Sequence, residues 1–482
     1  MNKLLQWFTQ VTPLRLSLGI ALIFVVAHLV IEAGTFEFGV LSRKGYLRTL
    51  DLKLLDTKFS QASRVDLPEP KVVVAAIDEE SIERFGRFPW SRNILADFID
   101  RVAAEQPSAI AFDVVFSDPD KNSSYVSVKR FLDAYDASEL GPESKAFETL
   151  AAQVTEAEAA FNKAEAKAAT LRARLKKEPG KAQYLKLLAD TSLEAERAQR
   201  KLTTAKTALK TLEGEREKFR NMLKGEISAV SPDDRFAESI KSAGNVILGY
   251  FAFETEEALA SIPPEKAEQD RAALEPSAIG GLYEAYIEDF DGATVERFIA
   301  HDVDWPKLQI KEAMGFQSPL PVLATQTSRF GFFNSVIDSD NQMRRLRLLY
   351  KSRDKLYPAL SVQAAALYFD AGIFPEDGGI NPGVTVDGVN LGTELLVTTD
   401  PQSKMLVNYY EDPQEYFPVC GIAALLDGRC EALGDDLSKL KDKVILVGAT
   451  AIGTFDVRPI AFGAVPGVFI HAQGIQNMID EL

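Results

Sequence analysis

The chain has 482 residues, of which 46% are hydrophobic and 26% charged, and its formal net charge is −16. That length corresponds to about three domain-sized units, and the apolar share can build a sizeable core. The surplus of acid excludes nucleic acid as a partner, because phosphate binding needs a basic patch, and it excludes broad adhesion to anionic lipid; it reads as solubility and self-repulsion.

Residues 16–31 read LSLGIALIFVVAHLVI. With 11–14 in front, the run approaches the ~20 residues that cross a hydrocarbon core, so one transmembrane helix is expected over 14–31. Arg15 can snorkel towards headgroups, and Trp7 and Phe8 stand where interfacial aromatics stand. Lys3 and Arg15 precede the span, whereas Glu32 and Glu37 follow it and Arg43, Lys44 and Arg48 come later. The positive-inside rule then leaves 1–13 in the cytoplasm and exports the remainder. A cleaved signal peptide is the competing reading, but Ala33 and Gly34 are poorly spaced for a cleavage site. His28, with no acidic partner in the span, reads as a tolerated residue.

Residues 71–77, KVVVAAI, form a near-continuous apolar run that suits a strand buried on both faces. Ile94, Leu95, Phe98, Ile99 and Val102 then recur at helical spacing behind Ser91, an N-cap type. Residues 108–116, SAIAFDVVF, are a second buried strand, so 71–116 read as a βαβ unit. From 143 to 225 the composition changes to Ala, Glu, Lys and Leu. Leu150, Val154, Ala157, Phe161, Ala164, Ala168, Leu171 and Leu175 make a heptad seam. Glu178-Pro179-Gly180 breaks it, and a second seam runs through Leu185, Leu188, Ser192, Ala195, Gln199 and Leu202 to Leu223. This predicts an inserted antiparallel coiled-coil hairpin with arms roughly 50–65 Å long. It serves either as a dimerisation or partner-docking arm or only as an insertion.

Strand composition returns at 245–253, NVILGYFAF, followed by an acidic, Pro-containing loop over 254–275. Two strands are expected at 330–336 and 345–350, joined through the turn 338–342. A helix follows at 358–369, a short hairpin at 381–391, strands at 405–409 and 444–447, and a helix at 470–479. The predicted fold class is α/β, a mixed and mostly parallel sheet covered by helices. The exported domain is expected in two parts, 32–142 and 226–482, around the insertion 143–225.

Cys420 and Cys430 flank a likely turn at Asp427-Gly428 and are too few for a disulfide scaffold. They read either as a disulfide, if the domain is exported, or as two buried thiols. No catalytic residue is assigned: there is no nucleophile elbow, no phosphate-cradling loop, and His28, His301 and His471 are too scattered for a metal site. No cofactor is expected. The loop 448–453 reads as a tight turn. Asp78 and Asp113 sit at or near the C-terminal ends of adjacent candidate strands and Asp456 follows 444–450, at the sheet edge where α/β proteins bind ligands. With Arg92 they define a candidate pocket for a cationic or zwitterionic ligand; the alternative is structural ion pairs and helix caps around the GRFPWSR segment.

An ordered set of segments carries a family resemblance: 72–78, GRFPWSR at 86–92, IAFD at 110–113, FGFFN at 330–334, Arg344-Arg345, YPALS at 357–361, KVILVGAT at 443–450, Asp456, PGV at 466–468 and IHA at 470–472. Together they resemble the CHASE family of type two, extracellular sensory domains associated with bacterial adenylate cyclases and kinases. Where the family commonly has Asp-Gly before the Arg-rich strand, this chain has Asp340-Asn341, which still tolerates a left-handed turn. The resemblance implies a receptor in the bacterial inner membrane with the bulk of the chain in the periplasm. The output would follow residue 482, most often a class III adenylate cyclase producing cAMP, otherwise a histidine or Ser/Thr kinase. It also implies a homodimer. The rival reading is an envelope protein that docks a partner on the coiled-coil arm.

Overall fold

The structure, a computed structural model, describes residues 13–32, 52–59, 67–120, 123–137, 145–290, 293–379, 381–392, 395–451 and 456–480. Residues 1–12 of the flank expected in the cytoplasm, the basic residues Arg43, Lys44 and Arg48, and residues 452–453 of the expected tight turn lie outside the described residues. The chain divides into two compact units, one of Met1–Pro119 with Phe236–Leu482 and one of Asp120–Arg235. Helix α1, Pro13–Glu32, brackets the expected span. Among the described residues no helix is long and apolar enough to cross a membrane. The side chains described on α1 are those of 17–26, about half the reach of a hydrocarbon core.

The first unit is built on a seven-stranded sheet. Its strands are β1 (Val72–Ile77), β2 (Ala109–Phe112), β3 (Val246–Phe253), β4 (Gly315–Gln317), β5 (Phe330–Phe332), β6 (Val419–Gly421) and β7 (Val444–Ala449). The order is β6-β1-β7-β2-β3, with β4 and β5 both bonded to β3. Every pair is parallel except β3–β4. Helix α2 (Glu79–Phe85) and helix α3 (Arg92–Ala103) connect β1 to β2, but β7 lies between those two strands, so the βαβ unit skips one place. β2 is shorter than its apolar run because its ladder to β7 ends at Phe112, where Asp113 N–H takes the Val447 carbonyl at 2.8 Å.

Both faces of this sheet are covered, which explains the uninterrupted apolar strands. On one face Phe98 of α3 and Phe236 meet Phe112 edge-on, with centroids 6.3 and 5.9 Å away. Beyond the hairpin described below, the other face carries a short helix at Leu360–Tyr368 and a final one at Gly467–Ile479. The short helix comes so close to β5 that a Cβ on Gly331 would stand 2.3 Å from the Leu360 Cα. The final helix is buried from Gly467 through Met478. Its polar residues satisfy main chain: Gln476 accepts from Lys71 N–H (2.7 Å), and Asn477 accepts from Asn408 N–H (2.8 Å).

Two loop expectations need correction, and a third is met only in part. The acidic stretch 254–275 contains helices Glu256–Leu259 and Pro264–Leu274. Thr255 caps the first, Pro264 stands at the start of the second, and Leu274 is buried beneath it. The segments 330–336 and 345–350 are joined through the expected turn and meet in one antiparallel bridge, Val336 with Arg345, while Phe330–Phe332 pairs with β3 and Arg345–Arg347 with Lys404–Leu406. The turn between them does form, with Asn341 at φ 66°. No hairpin closes within 381–391, because Val386–Asn390 pairs outward with Phe374–Asp377 and Leu396–Thr398. These strands belong to a second sheet with the long hairpin Leu282–Phe290 and Ala293–His301.

The second unit holds helix α4 (Ser123–Asp136) and two long helices, α5 (Lys145–Lys177) and α6 (Ala182–Val230). They run antiparallel: Lys167 pairs with Glu194, and Lys206 with Glu158 at 2.9 Å. Ala164, Ala168 and Leu171 are buried on the expected seam of α5. On α6 the seam is displaced. Thr191, Ala195 and Leu202 are buried, while Leu185 is 54% exposed and Gln199 is also exposed. The small Thr191 and the alanines let the helices approach, and Leu185 is left on the outer face.

Arg344 is the largest fully buried side chain of the first unit, at 0% exposure. Its Nε and Nη2 reach Asp56 at 2.6 and 2.8 Å, its Nη1 and Nη2 reach Asp340 at 2.8 Å each, and Nη1 reaches Asp338 at 3.2 Å. The guanidinium therefore ties the helical segment 52–59 to the turn 338–342. Arg344→Met should cost about 3–5 kcal/mol of stability, read as a lower urea midpoint for the whole chain in detergent. Arg344→Lys should recover little, because one ammonium cannot serve two bidentate carboxylates.

Candidate ligand pocket

The final helix of the chain, Gly467–Ile479, is labelled α8 and the helix Leu360–Tyr368 α7. A pocket of about 560 Å³ opens at the C-terminal ends of β2, β3 and β5, beside the N-terminus of α8. This is the edge at which parallel α/β sheets bind ligands. Asp113 enters it directly after β2. Phe251, Phe253 and Glu254 enter from the end of β3, Phe333 and Asn334 from the end of β5, and Asp456, Arg458 and His471 complete it.

Each wall has a structural reason. Asn334 clamps the strand after β5 to β3, accepting from Ala252 N–H at 2.9 Å and donating to Ala252 C=O at 2.8 Å. Glu254 accepts from the Tyr350 hydroxyl. A Cβ on Gly467 would lie 2.6 Å from Asp456 Oδ2, so any side chain there would displace that carboxylate. Asp456 is itself bound by Arg458 Nη2 at 2.9 Å.

Two of the four expected site residues meet here. Asp113 and Asp456 line the pocket together. Burial, reinforced by the charge of Asp456, holds the Asp113 carboxyl well above the ordinary range, against the pull of Arg458. Burial also raises Asp456, with Arg458 opposing. Asp78 and Arg92 are elsewhere. Asp78 caps α2 through Ser81 N–H at 2.9 Å and fits against Gly421, where a Cβ would come within 2.3 Å. Arg92 stacks on Phe116 with 4.5 Å to the ring centre and donates to the Asp118 carbonyl at 3.3 Å. For these two the cap and packing roles hold.

His471 was not singled out as a pocket residue, because a lone histidine in an apolar stretch carries no spacing signal. It is 5% exposed. Its Nε2 lies 3.3 Å from the Phe333 carbonyl, and Nδ1 has no partner. Burial pushes its pKa down to about 4. Arg458 Nε is likewise without a partner.

A second cavity, of about 550 Å³, is lined by Arg345, Asp400, Lys404 and Asn477. Its cations are occupied: Arg345 holds Asp338 at 3.0 Å and Lys404 holds Gln402 at 2.6 Å. Cys420 and Cys430 are joined by a disulfide, with Cα atoms 5.2 Å apart. Among the described residues no group of three His, Cys, Asp or Glu side chains is arranged to hold a metal ion.

The family model of the CHASE2 domain matches residues 25–482, so the chain belongs to that family of extracellular sensory domains of bacterial signalling proteins. No curated protein and no solved structure matches the chain.

The buried His471 sets an acid limit. Its folded pKa lies below the ~6.5 of a free imidazole. Its contribution to stability is therefore complete above pH 6.5 and is lost as pH falls towards 4. Asp113, shifted upward, acts in the opposite sense. The difference in unfolding free energy between the native chain and His471→Gln should accordingly shrink as pH falls from 7 to 4.5, measured by urea titration at each pH.

Proposed function

We propose that this chain is the periplasmic input region of a membrane-anchored bacterial receptor, with the N-terminal segment that contains α1 as its anchor and a class III adenylate cyclase as its output. The observation that carries the reading is α1. Leu18, Ile20, Leu22, Ile23, Phe24, Val25 and Val26 are 47–69% exposed on it, so over 17–26, where its side chains are described, the apolar surface faces outward. A helix that is apolar all round belongs in a large core or a bilayer. The disulfide Cys420–Cys430 supports an oxidising compartment. The cyclase output and a homodimeric state rest on the family alone, since class III cyclases work as dimers. The two long helices are read as a coiled coil that contributes to dimerisation.

A second reading, an envelope protein that docks a partner, is favoured by Leu185, Leu187 and Leu193, which are 41–54% exposed on α6.

A single-cysteine probe decides the compartment. Because Cys420 and Cys430 are bonded to each other, Leu185→Cys adds the one free thiol to label among the described residues. A membrane-impermeant maleimide should label it in intact cells once the outer membrane is permeabilised, and labelling only after lysis would place the domain in the cytoplasm. In the full-length receptor, cAMP formation from ATP should be measurable and should change when the domain is altered. A full-length protein without nucleotide cyclase activity would leave the docking reading as the better account.

A further inference from the structure

The pocket at Asp113 presents more acceptors than donors. His471 Nε2 faces a carbonyl oxygen at 3.3 Å, so that nitrogen carries the ring proton. A neutral imidazole has one such proton, which leaves Nδ1 a bare acceptor. That nitrogen has no partner on a side chain that is 5% exposed, and burial without a partner is costly. The Asp113 carboxylate receives no hydrogen bond among the described residues, whereas Asp456 has Arg458. Two further features bound the occupant. Phe251, Phe253, Phe333 and Ile337 form an apolar wall, with Phe251 36% and Ile337 55% exposed. The volume, about 560 Å³, lies in the range of small-molecule sites.

We propose that this pocket binds a small organic ammonium ion, its charged nitrogen donating to Asp113 and His471 Nδ1 and its apolar body lying on the phenylalanines. Asp113, Asp456 and Glu254 face the single cation Arg458 in this lining, and Arg458 is spent on Asp456, so a cation relieves the site where an anion would not. An aromatic wall adds cation–π attraction for ammonium. Arg458 Nε, a donor without a partner, is available to a carboxylate on the same ligand. Two sources therefore share the chemistry, a simple amine and an α-amino acid. The proposal rests on the sensory reading and names the class of ligand that the sensor takes.

Calorimetric titration of the whole chain in nanodiscs tests it with three compounds of similar size: tryptamine, tryptophan and indole-3-propionate. Tryptamine or tryptophan should bind, and indole-3-propionate, which lacks the ammonium, should not. Asp113→Asn should weaken binding at least tenfold while the chain still melts cooperatively. Binding of tryptophan alone, lost in Arg458→Gln, identifies the amino-acid source; equal binding of tryptamine identifies the amine. Absence of binding by both ammonium compounds, equal binding of indole-3-propionate, or an undiminished Asp113→Asn titration overturns the proposal. Cyclase output of the full-length receptor is measured separately. Binding with no change in output keeps the ligand site and removes the sensory reading, and an output that responds to some other stimulus without ammonium binding does the reverse.

Discussion

The first unit depends on a guanidinium that sees no water. Arg344 is fully buried and meets Asp56, Asp338 and Asp340 together. Removing a cation from water costs several kcal/mol even after relaxation, so the arrangement survives only while its carboxylates stay in place. Burial is the largest influence on Arg344 and opposes its charge, and the hydrogen bonds that it donates to Asp56, Asp340 and Asp338 outweigh it and raise its pKa. Such a group specifies geometry more than it adds stability. It requires helix 52–59, the turn 338–342 and the strand Arg345–Arg347 to be assembled at once.

This constraint has a direct line to the pocket. Phe333, Asn334, Ser335 and Ile337 line the pocket, and Asp338 follows one residue later. On the other side, α8 begins at the pocket with Gly467 and His471. Further along, Gly474 packs so closely on Leu346 that a Cβ would lie 2.1 Å from Leu346 Cδ1. Leu346 and Arg344 are two residues apart. A change in the pocket therefore meets the buried guanidinium along two short, tightly packed routes. A sensor needs two arrangements whose balance a ligand shifts. The buried charge and its three acids join helix 52–59 to the segment that leads into the pocket.

Much of this was legible in the sequence for identifiable reasons. The strands β1 and β7 are buried on both faces, so their apolar runs have no polar interruption to confuse the pattern. Ser91 announced α3 by its cap, and its side chain does accept from Asn93 N–H. Asp113 and Asp456 could be placed because a carboxylate just past a parallel strand lands on the ligand-binding edge. The misses are equally physical. The helices in 254–275 are held by a cap, a proline and one buried leucine, which leave almost no periodicity. The hairpin Leu282–Phe290 with Ala293–His301 had a signal in Asp291-Gly292, but it is lodged in a polar stretch. The seam of α6 opens on threonine and alanine, Thr191 and Ala195, before it reaches Leu202. Asp78 and Arg92 were drawn away by nearer partners, Ser81 and Phe116, and no spacing rule shows that competition. His471 and the Phe251–Phe333 wall depend on tertiary placement.

The most direct test is hydrogen exchange of the whole chain with Asp56→Asn, a change remote from the pocket. If Arg344 couples the two regions, amide exchange should rise in 52–59, in 333–340 and at the start of α8, 467–471, together. A rise confined to 52–59, with the pocket segments exchanging as in the native chain, would contradict the coupling and leave Arg344 as a local fastening.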